Sequence, residues 1–330
     1  MSDASLTAPA IGRERTLPKE IWGFSRPQLL GLAVMVALIV STPFVLYPIF
    51  LMKLMCFALF ACAFNLLIGY VGLLSFGHAV YFGIGAYFAG YAATMWAVSP
   101  VVSILGAAAA AALLGTAFGW LAIRRSGIYF AMITLALAQM IYFVFVQAPM
   151  TGGENGMQDI PRGTLFGVVD LSDDMTMYWT VAAIFLAGFL IIHRIVRSPF
   201  GQVLKAIREN EPRAISLGYR TENYKLIAFV LSATFAGVAG ATKALAFGIA
   251  TLPDAHWSTS GEVVLMGLVG GLGTMFGPVV GAAVIVSMQN YLAEFGDWVA
   301  MSQAVIFIAC VLAFRKGIVG EIGSAFRVKL

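Results

Sequence analysis

LMCFALFACAFNLLIGYVGLLSFGHAVYFGIGAY, residues 54–87, opens a run without a single Asp, Glu, Lys or Arg that ends only at Arg124. A helix crosses the hydrocarbon core of a bilayer in about 20 residues, so a run of this length reads as several crossings. The rest of the 330-residue chain has the same character, 60% hydrophobic and 11% charged, against about 25% charged in a soluble domain. Further uncharged runs lie at 27–52, 126–153, 175–192 and 263–293, with shorter ones at 226–242, extendable to about 250, and at 298–314. The fold class is therefore all-α, a polytopic membrane protein. The apolar run 27–52 is too long for the core of a signal peptide, so no cleavage is expected. Cys56, Cys62 and Cys310 lie inside apolar runs without metal-ligand spacing and read as small buried hydrophobes.

Orientation follows from the cations, because cytoplasmic loops hold an excess of Lys and Arg. Arg13, Arg15, Lys19 and Arg26, then Arg124 and Arg125, then seven residues from Arg194 to Lys225, then Arg315, Lys316, Arg327 and Lys329 make 17 of the 20. Lys53, Arg162 and Lys243 are left for the outside. Residues 149–176 carry five acids against one Arg and fit an external loop. Between these markers residues 54–123 must cross an odd number of times, which suits three. Residues 263–293 must cross an even number of times, as two short helices turning near Gly270 to Pro278. The expectation is ten crossings with both termini cytoplasmic, or eight if the glycine-rich parts only dip in and return. The domain map is a tail over 1–26, a membrane domain over 27–314 with a cytoplasmic loop at 194–225, and a tail over 315–330.

Glycine is the second signal. Gly267 and Gly271, then Gly273, Gly277 and Gly281, recur at four-residue spacing, as do Gly115 and Gly119. Such spacing lets helix backbones approach closely in lipid; glycine interruptions also mark transport paths. The stretch 69–87, rich in glycine and holding His78, admits either reading.

The one strongly charged insert is RSPFGQVLKAIRENEPRAISLGY, 197–219. Phe200, Val203, Leu204 and Ile207 fall on one face of a helix, with Gln202, Lys205, Arg208 and Glu209 on the other. Ser198 and Pro199 stop the preceding span. Asn210 or Glu211 can cap a second helix with Pro212 at its first position and Gly218 just past its end. Two short helices on the cytoplasmic surface either dock a protein or anchor on the membrane.

NLLIGYVGLLSFGHAVYFGIGAY (65–87), TGGENGM (151–157), RSPFGQVLKAIRENEPRAISLG (197–218), YKLIAFVLSATFAGVAGA (224–241) and GEVVLMGLVGGLGTMFGPVVGA (261–282) occur in that order. Together they resemble the LivM-type permease of branched-chain amino-acid ABC importers. The resemblance covers residues 54–293. It implies about ten helices in two inverted-repeat halves, a LivH-type second permease, two cytoplasmic ATPase subunits, a periplasmic binding protein and a bacterial inner-membrane location. It also implies that Glu211, Ala214, Leu217 and Gly218, in an E-x-x-A-x-x-L-G pattern with Arg213 among them, seat in an ATPase groove.

The residues agree on energetics. The span interiors hold almost no ionisable groups, with Lys53, Lys243 and Glu262 near expected ends where they can snorkel outward. An ion-coupled carrier keeps such groups inside its spans, so the drive must come from a partner. No G-x-x-x-x-G-K-[ST] exists in the chain, which places ATP on that partner and leaves this chain without a cofactor. His78, His193 and His256 have no metal or catalytic spacing, and no pair of acids shares a face inside the membrane, so neither an enzyme nor a metal site is expected. Nothing points to nucleic acid; lipid and protein subunits are the expected partners. A passive small-solute channel and a permease for urea or short amides are the rival functions. A cargo with no net charge is expected, met by glycine-rich breaks and by Asn65, His78, Thr134 and Gln139, with His78 either lining the path or only packing.

Overall fold

The structure, a computed structural model, describes residues 26–165, 167, 169–292, 301, 304–305, 307–308 and 316–325. The tail at 1–25, the run at 298–314 apart from five of its residues, Glu294, Cys310, Arg315, Arg327 and Lys329 lie outside the described residues. Among the described residues six helices are long and apolar enough to cross a membrane. They are α1 (Arg26–Ser41), α2 (Pro48–Tyr70), α4 (Pro100–Ala122), α5 (Ile128–Gln147), α6 (Asp174–Arg197) and α9 (Thr221–Phe247). Shorter helices are α3 (Ala79–Met95), α7 (Pro199–Glu209), α8 (Glu211–Ser216), α10 (Trp257–Gly270), α11 (Gly277–Tyr291) and α12 (Gly317–Ala325). The run 54–123 thus falls in three helices, α2 to α4, and the run 263–293 in a helical hairpin whose turn spans 271–276.

One boundary differs from expectation. The run 27–52 is not one span: α1 stops at Ser41, a short 3-10 turn holds Thr42–Phe44, and α2 starts at Pro48. Pro43 has no N–H to continue the α1 ladder, and Pro48 occupies the first turn of α2, where a missing donor costs nothing. Lys53 consequently sits inside α2, half-buried, rather than between two spans.

The core is built around α2 and α9. Almost every side chain of α2 from Leu51 to Tyr70 is buried, and α9 packs on α2, α3 and α4. Lipid tails are as apolar as leucine, so burial alone does not hold such helices together; close packing of small residues does. A Cβ on Gly85 of α3 would strike the carbonyl of Gly237 on α9, and one on Gly240 would strike the carbonyl of Phe82. Gly115 of α4 faces the methyl of Ala233 on α9, 2.7 Å from where a Cβ would sit.

Between α2 and α3 the chain unwinds over 71–78. Backbone groups there need partners, because the bilayer offers none. The N–H groups of Val71, Gly72 and Leu73 all turn to the Leu67 carbonyl, at 3.1, 3.1 and 3.3 Å. The first N–H of α3, on Ala79, is taken by the Ser260 hydroxyl of α10 at 2.8 Å.

The acidic segment after α5 folds over the end of α9. Met157 pairs with Ala250, and the Ile160 N–H donates to the Gly248 carbonyl at 2.9 Å. Two-residue strands, β1 (Thr164–Leu165) and β2 (Val169–Asp170), form a small antiparallel ladder. Arg162 donates to Asp174 at 2.7 Å and to the Ala246 carbonyl at 2.9 Å, so that lone cation ties the segment to α6 and α9.

Lys243 overturns an expectation. It does not snorkel: α9 continues past it to Phe247, and the turn at Leu252–Ala255 folds Asp254 back onto it. Its ammonium reaches both Asp254 oxygens at 2.7 and 2.9 Å, and Asp254 also accepts the Thr251 N–H and hydroxyl, each at 3.0 Å. Both residues are buried. Breaking one side of such a pair strands a buried charge, at a cost of about 3–5 kcal/mol, whereas an apolar replacement of both is close to neutral. Asp254→Ala is therefore expected to lower the thermal unfolding midpoint in detergent sharply, and Lys243→Met with Asp254→Leu to recover most of the loss; an Asp254→Ala midpoint equal to that of the native chain would remove the pair's structural role.

Candidate functional site

Two regions carry the residues singled out by the sequence. The first is the knob formed by α7 and α8 at the cation-rich end. Ser198 caps α7, its hydroxyl accepting the Gly201 N–H at 3.3 Å. The apolar face then turns inward, with Leu204 and Ile207 buried, and Phe200 stacks on Tyr224 of α9 with ring centroids 5.6 Å apart. Asn210 is the cap of α8, its side chain accepting the Arg213 N–H at 3.1 Å. Pro212 occupies the second helical position rather than the first, because α8 already begins at Glu211.

Gly218 has φ +90. Its N–H donates to the Ile215 carbonyl at 2.9 Å and the Tyr219 N–H to the Ala214 carbonyl at 3.2 Å, so the left-handed residue closes α8 as a glycine stop should. Glu211 is clamped to the base of α9 by an ion pair with Lys225. The side chains of the pattern therefore divide. Ala214 is buried and holds α8 down, while Arg213, Ile215, Leu217 and Tyr219 are exposed. Leu217 is 69% exposed and Ile215 55%, an apolar tip on a fixed stem. Ile215 and Tyr219 lay outside the sequence pattern; their signal was the absence of an inward neighbour, which only the fold supplies.

The second region is the set of polar positions along α2, α3 and α5. Asn65 is buried, and its amide is engaged by the backbone of the hairpin turn. It accepts the Gly273 N–H at 2.9 Å and donates to the Thr274 carbonyl at 3.1 Å, pinning the α10–α11 turn to the end of α2. Thr134 turns its hydroxyl back to the Ala131 carbonyl of its own helix at 2.9 Å. Gln139 is half-buried on α5.

His78 is fully enclosed by Phe60, Phe64, Tyr81 and Phe229, with ring centroids 5.3–6.3 Å away. Its Nε2 lies 2.9 Å from the Ser232 hydroxyl, which itself donates to the Ala63 carbonyl. Ser232 has one proton to give, so Nε2 carries the hydrogen and donates. The packing role is the one this geometry supports.

The glycines also divide. Gly277 and Gly281 are contact points of the hairpin, since a Cβ on either would meet the backbone of α10 at Gly270 or Met266. Gly271 and Gly273 serve the turn, with φ +118 and +76, and Gly267 meets only the Leu272 side chain, 3.1 Å from where a Cβ would sit. Four-residue spacing did not separate packing glycines from turn glycines, because helix continuity decides which they are.

Among the described residues no three His, Cys, Asp or Glu side chains gather as a metal site. Among the described residues the arrangement offers an exposed apolar tip on the knob, and the buried charges Lys225, Lys243 and Asp254 are all paired.

A family model described as branched-chain amino acid transport system / permease component matches residues 47–314. The chain is 28% identical to the LivM permease protein of the high-affinity branched-chain amino acid transport system of Escherichia coli strain K12, over 71% of this chain and 60% of that protein. It is 25% identical to the corresponding BraD protein of Pseudomonas aeruginosa, over 80% of this chain and 92% of that one. The LivH protein of Salmonella typhimurium is also 25% identical, over 80% and 91%. The chain thus spans three-fifths of the length of the LivM relatives. No solved structure matches it.

Replacing Ser232 with Ala leaves the buried His78 donor without an acceptor, a loss of about 1–3 kcal/mol. The expected result is a lower unfolding midpoint for Ser232→Ala in detergent with transport per folded molecule retained. Transport lost at an unchanged midpoint would return His78 to the path.

Proposed function

Since this chain belongs to the family of branched-chain amino acid transport permease components, we propose that it is a transmembrane permease subunit of an ABC importer in the bacterial inner membrane. It forms half of a translocation path for branched-chain amino acids, driven by ATP hydrolysis on two cytoplasmic ATPase subunits. The other half comes from a LivH-type permease, and a periplasmic binding protein delivers the substrate. The observation that carries this reading is the family match over residues 47–314 on a chain that also presents a charged knob of two short helices. A passive channel has no need of such a knob.

In this reading the chain makes ten crossings in two inverted halves, with the tails over 1–26 and 315–330 cytoplasmic. The knob within 194–225 enters an ATPase groove tip first, with Arg213, Leu217 and Ile215 as contacts. Gly218 sets the tip's shape, while Glu211 and Ala214 fasten it to the bundle. The loop at 149–176 faces the binding protein. A cargo without net charge fits a bundle whose buried charges cancel in pairs, because an uncompensated charge would cost several kcal/mol to bury. One methylene in an apolar path is worth about 1–3 kcal/mol, so discrimination among leucine, isoleucine and valine is left largely to the binding protein.

The complex reconstituted with its partners is expected to take up radiolabelled leucine in the presence of ATP, and neither glutamate nor lysine. Urea uptake without leucine would reassign the cargo, and strong glutamate uptake would defeat the neutral-path argument.

A valine at Gly218 is strained at φ +90, a conformation that β-branched residues tolerate poorly. Gly218→Val should insert normally yet lose the ATPase subunits on detergent purification. Undiminished retention would favour membrane anchoring of the knob. Sidedness has its own check: single cysteines at Ser216 and Ser324 should resist an impermeant thiol reagent on intact spheroplasts, and one at Asp173 should react.

A further inference from the structure

The knob is joined to the bundle by two routes that differ in kind. One is the Glu211–Lys225 ion pair and the apolar underside of α7, both of which end on α9 or α6. The other runs to the end of α2, where the Lys205 ammonium lies 5.6 Å from the Tyr70 ring and Arg208 makes a hydrogen bond. Arg208, on the outer half of α7, donates through Nη1 to the carbonyl of Gly69 in the last turn of α2. That carbonyl is one of the four that a helix end leaves without a partner, and it lies at the negative end of the helix dipole.

Arg208 also lies beside the hairpin turn. Its Nη1 lies 3.1 Å from where a Cβ of Gly273 would be, and the Gly69 carbonyl lies at the same distance from that point. Gly273 and Thr274 are in turn held by Asn65, one turn back along α2. Arg208, Gly69, Asn65 and Gly273 thus form one small cluster at the end of the bundle. Beside it an opening of about 470 Å³, lined by Gly69, Tyr70, Lys205, Arg208, Glu209 and Gly273, separates α7 from the ends of these helices. Arg208 bridges that opening.

We propose that Arg208 is the positioning residue through which movement of the knob is passed to the α10–α11 turn. The inference rests on the reading of the chain as an ATP-driven permease subunit and adds the element that moves. α9 is the less suited element, because its glycines set it backbone to backbone against α3 and Ser232 ties it to α2. The hairpin turn has glycines with positive φ at 271 and 273 and is fastened to the end of α2 by the two Asn65 hydrogen bonds. Gly271 rests on the backbone of Lys316 and Gly317, but the link to α2 can be exchanged without parting α3 from α9. Arg208 touches no substrate on this account; it sets the position of the turn.

The test uses the full complex with its ATPase subunits and a chain in which Cys56, Cys62 and Cys310 are replaced by alanine. A Met275→Cys reporter in the turn is labelled with a maleimide in the nucleotide-free state and after trapping with ATP and vanadate. A hydrogen bond to a charged donor biases a two-state equilibrium by about tenfold. The labelling rate is therefore expected to differ between the states when Arg208 is present, to stop responding to nucleotide in Arg208→Met, and to respond again in Arg208→Lys, which keeps a donor for the Gly69 carbonyl. Leucine carried per ATP hydrolysed should fall about tenfold in Arg208→Met while the ATPase subunits stay bound and active. An equal nucleotide response in Arg208→Met, or none in the chain with Arg208, would overturn the inference. The labelling needs ATPase subunits but no amino acid, so a wrong substrate assignment leaves it intact. Failure of the chain with Arg208 to bind ATPase subunits would instead sink the proposed function, and this inference with it.

Discussion

Backbone-to-backbone contact along α9 is the constraint on which the rest of the bundle depends. In a bilayer there is no water to expel from between helices, so association rests on packing and on polar groups with no other partner. Gly85 against Gly237 and Gly240 against Phe82 bring α3 and α9 as close as two helices can come. That proximity puts Ser232 within reach of both His78 and the Ala63 carbonyl, linking α9 to α2 as well as to the start of α3. The unwound stretch 71–78 beside them starts with three N–H groups on the Leu67 carbonyl, and the helix that follows it starts with the Ala79 N–H on Ser260. A side chain larger than hydrogen at Gly240 would push α3 outward and leave those groups without partners in a medium that supplies none.

What was legible in the sequence was what is local. Charge-free runs located α2 to α6 and α9, the proline and glycine signals located the hairpin turn, and the capping residues of the knob were readable at Asn210 and Gly218. The start of α2 was misjudged because Lys53 served as a boundary marker, although Pro43 and Pro48 were the physical stops. The roles of the polar residues were not legible, since they depend on partners far along the chain. His78 meets Ser232 across 154 positions and Asn65 meets Gly273 across 208. Periodicity and spacing say nothing about such pairs, and a buried polar side chain therefore read equally as path or as packing.

The charges teach the same lesson in energetic terms. An ionisable residue in a span is costly, and the sequence reading handled Lys243 by moving it to a helix end. The fold handles it by supplying Asp254 from the next turn, held in place by Thr251. A pair of this kind adds little net stability over apolar residues, but it fixes where the chain after α9 folds back. It thereby places the turn at 252–255 against α3 and orients the entry into α10.

Rigidity and mobility are thus unevenly placed in the two halves of this core. α2, α3, α4 and α9 share close glycine or alanine contacts, and Ser232 adds buried hydrogen bonds from α9 to α2 and to His78, so a displacement of one against another would break several contacts at once. The α10–α11 hairpin is also tight internally, with Gly277 and Gly281 seated on the backbone of α10, and both of its helices pack on α2. Its attachment to α2 at the cation-rich end is different in nature, two amide hydrogen bonds from Asn65 and the proximity of one arginine. Hydrogen bonds of that number can be exchanged for alternatives at a cost of a few kcal/mol, whereas interlocked backbones cannot. Under the proposed coupling, a force arriving at α7 and α8 reaches these exchangeable hydrogen bonds before the interlocked backbones of α3 and α9.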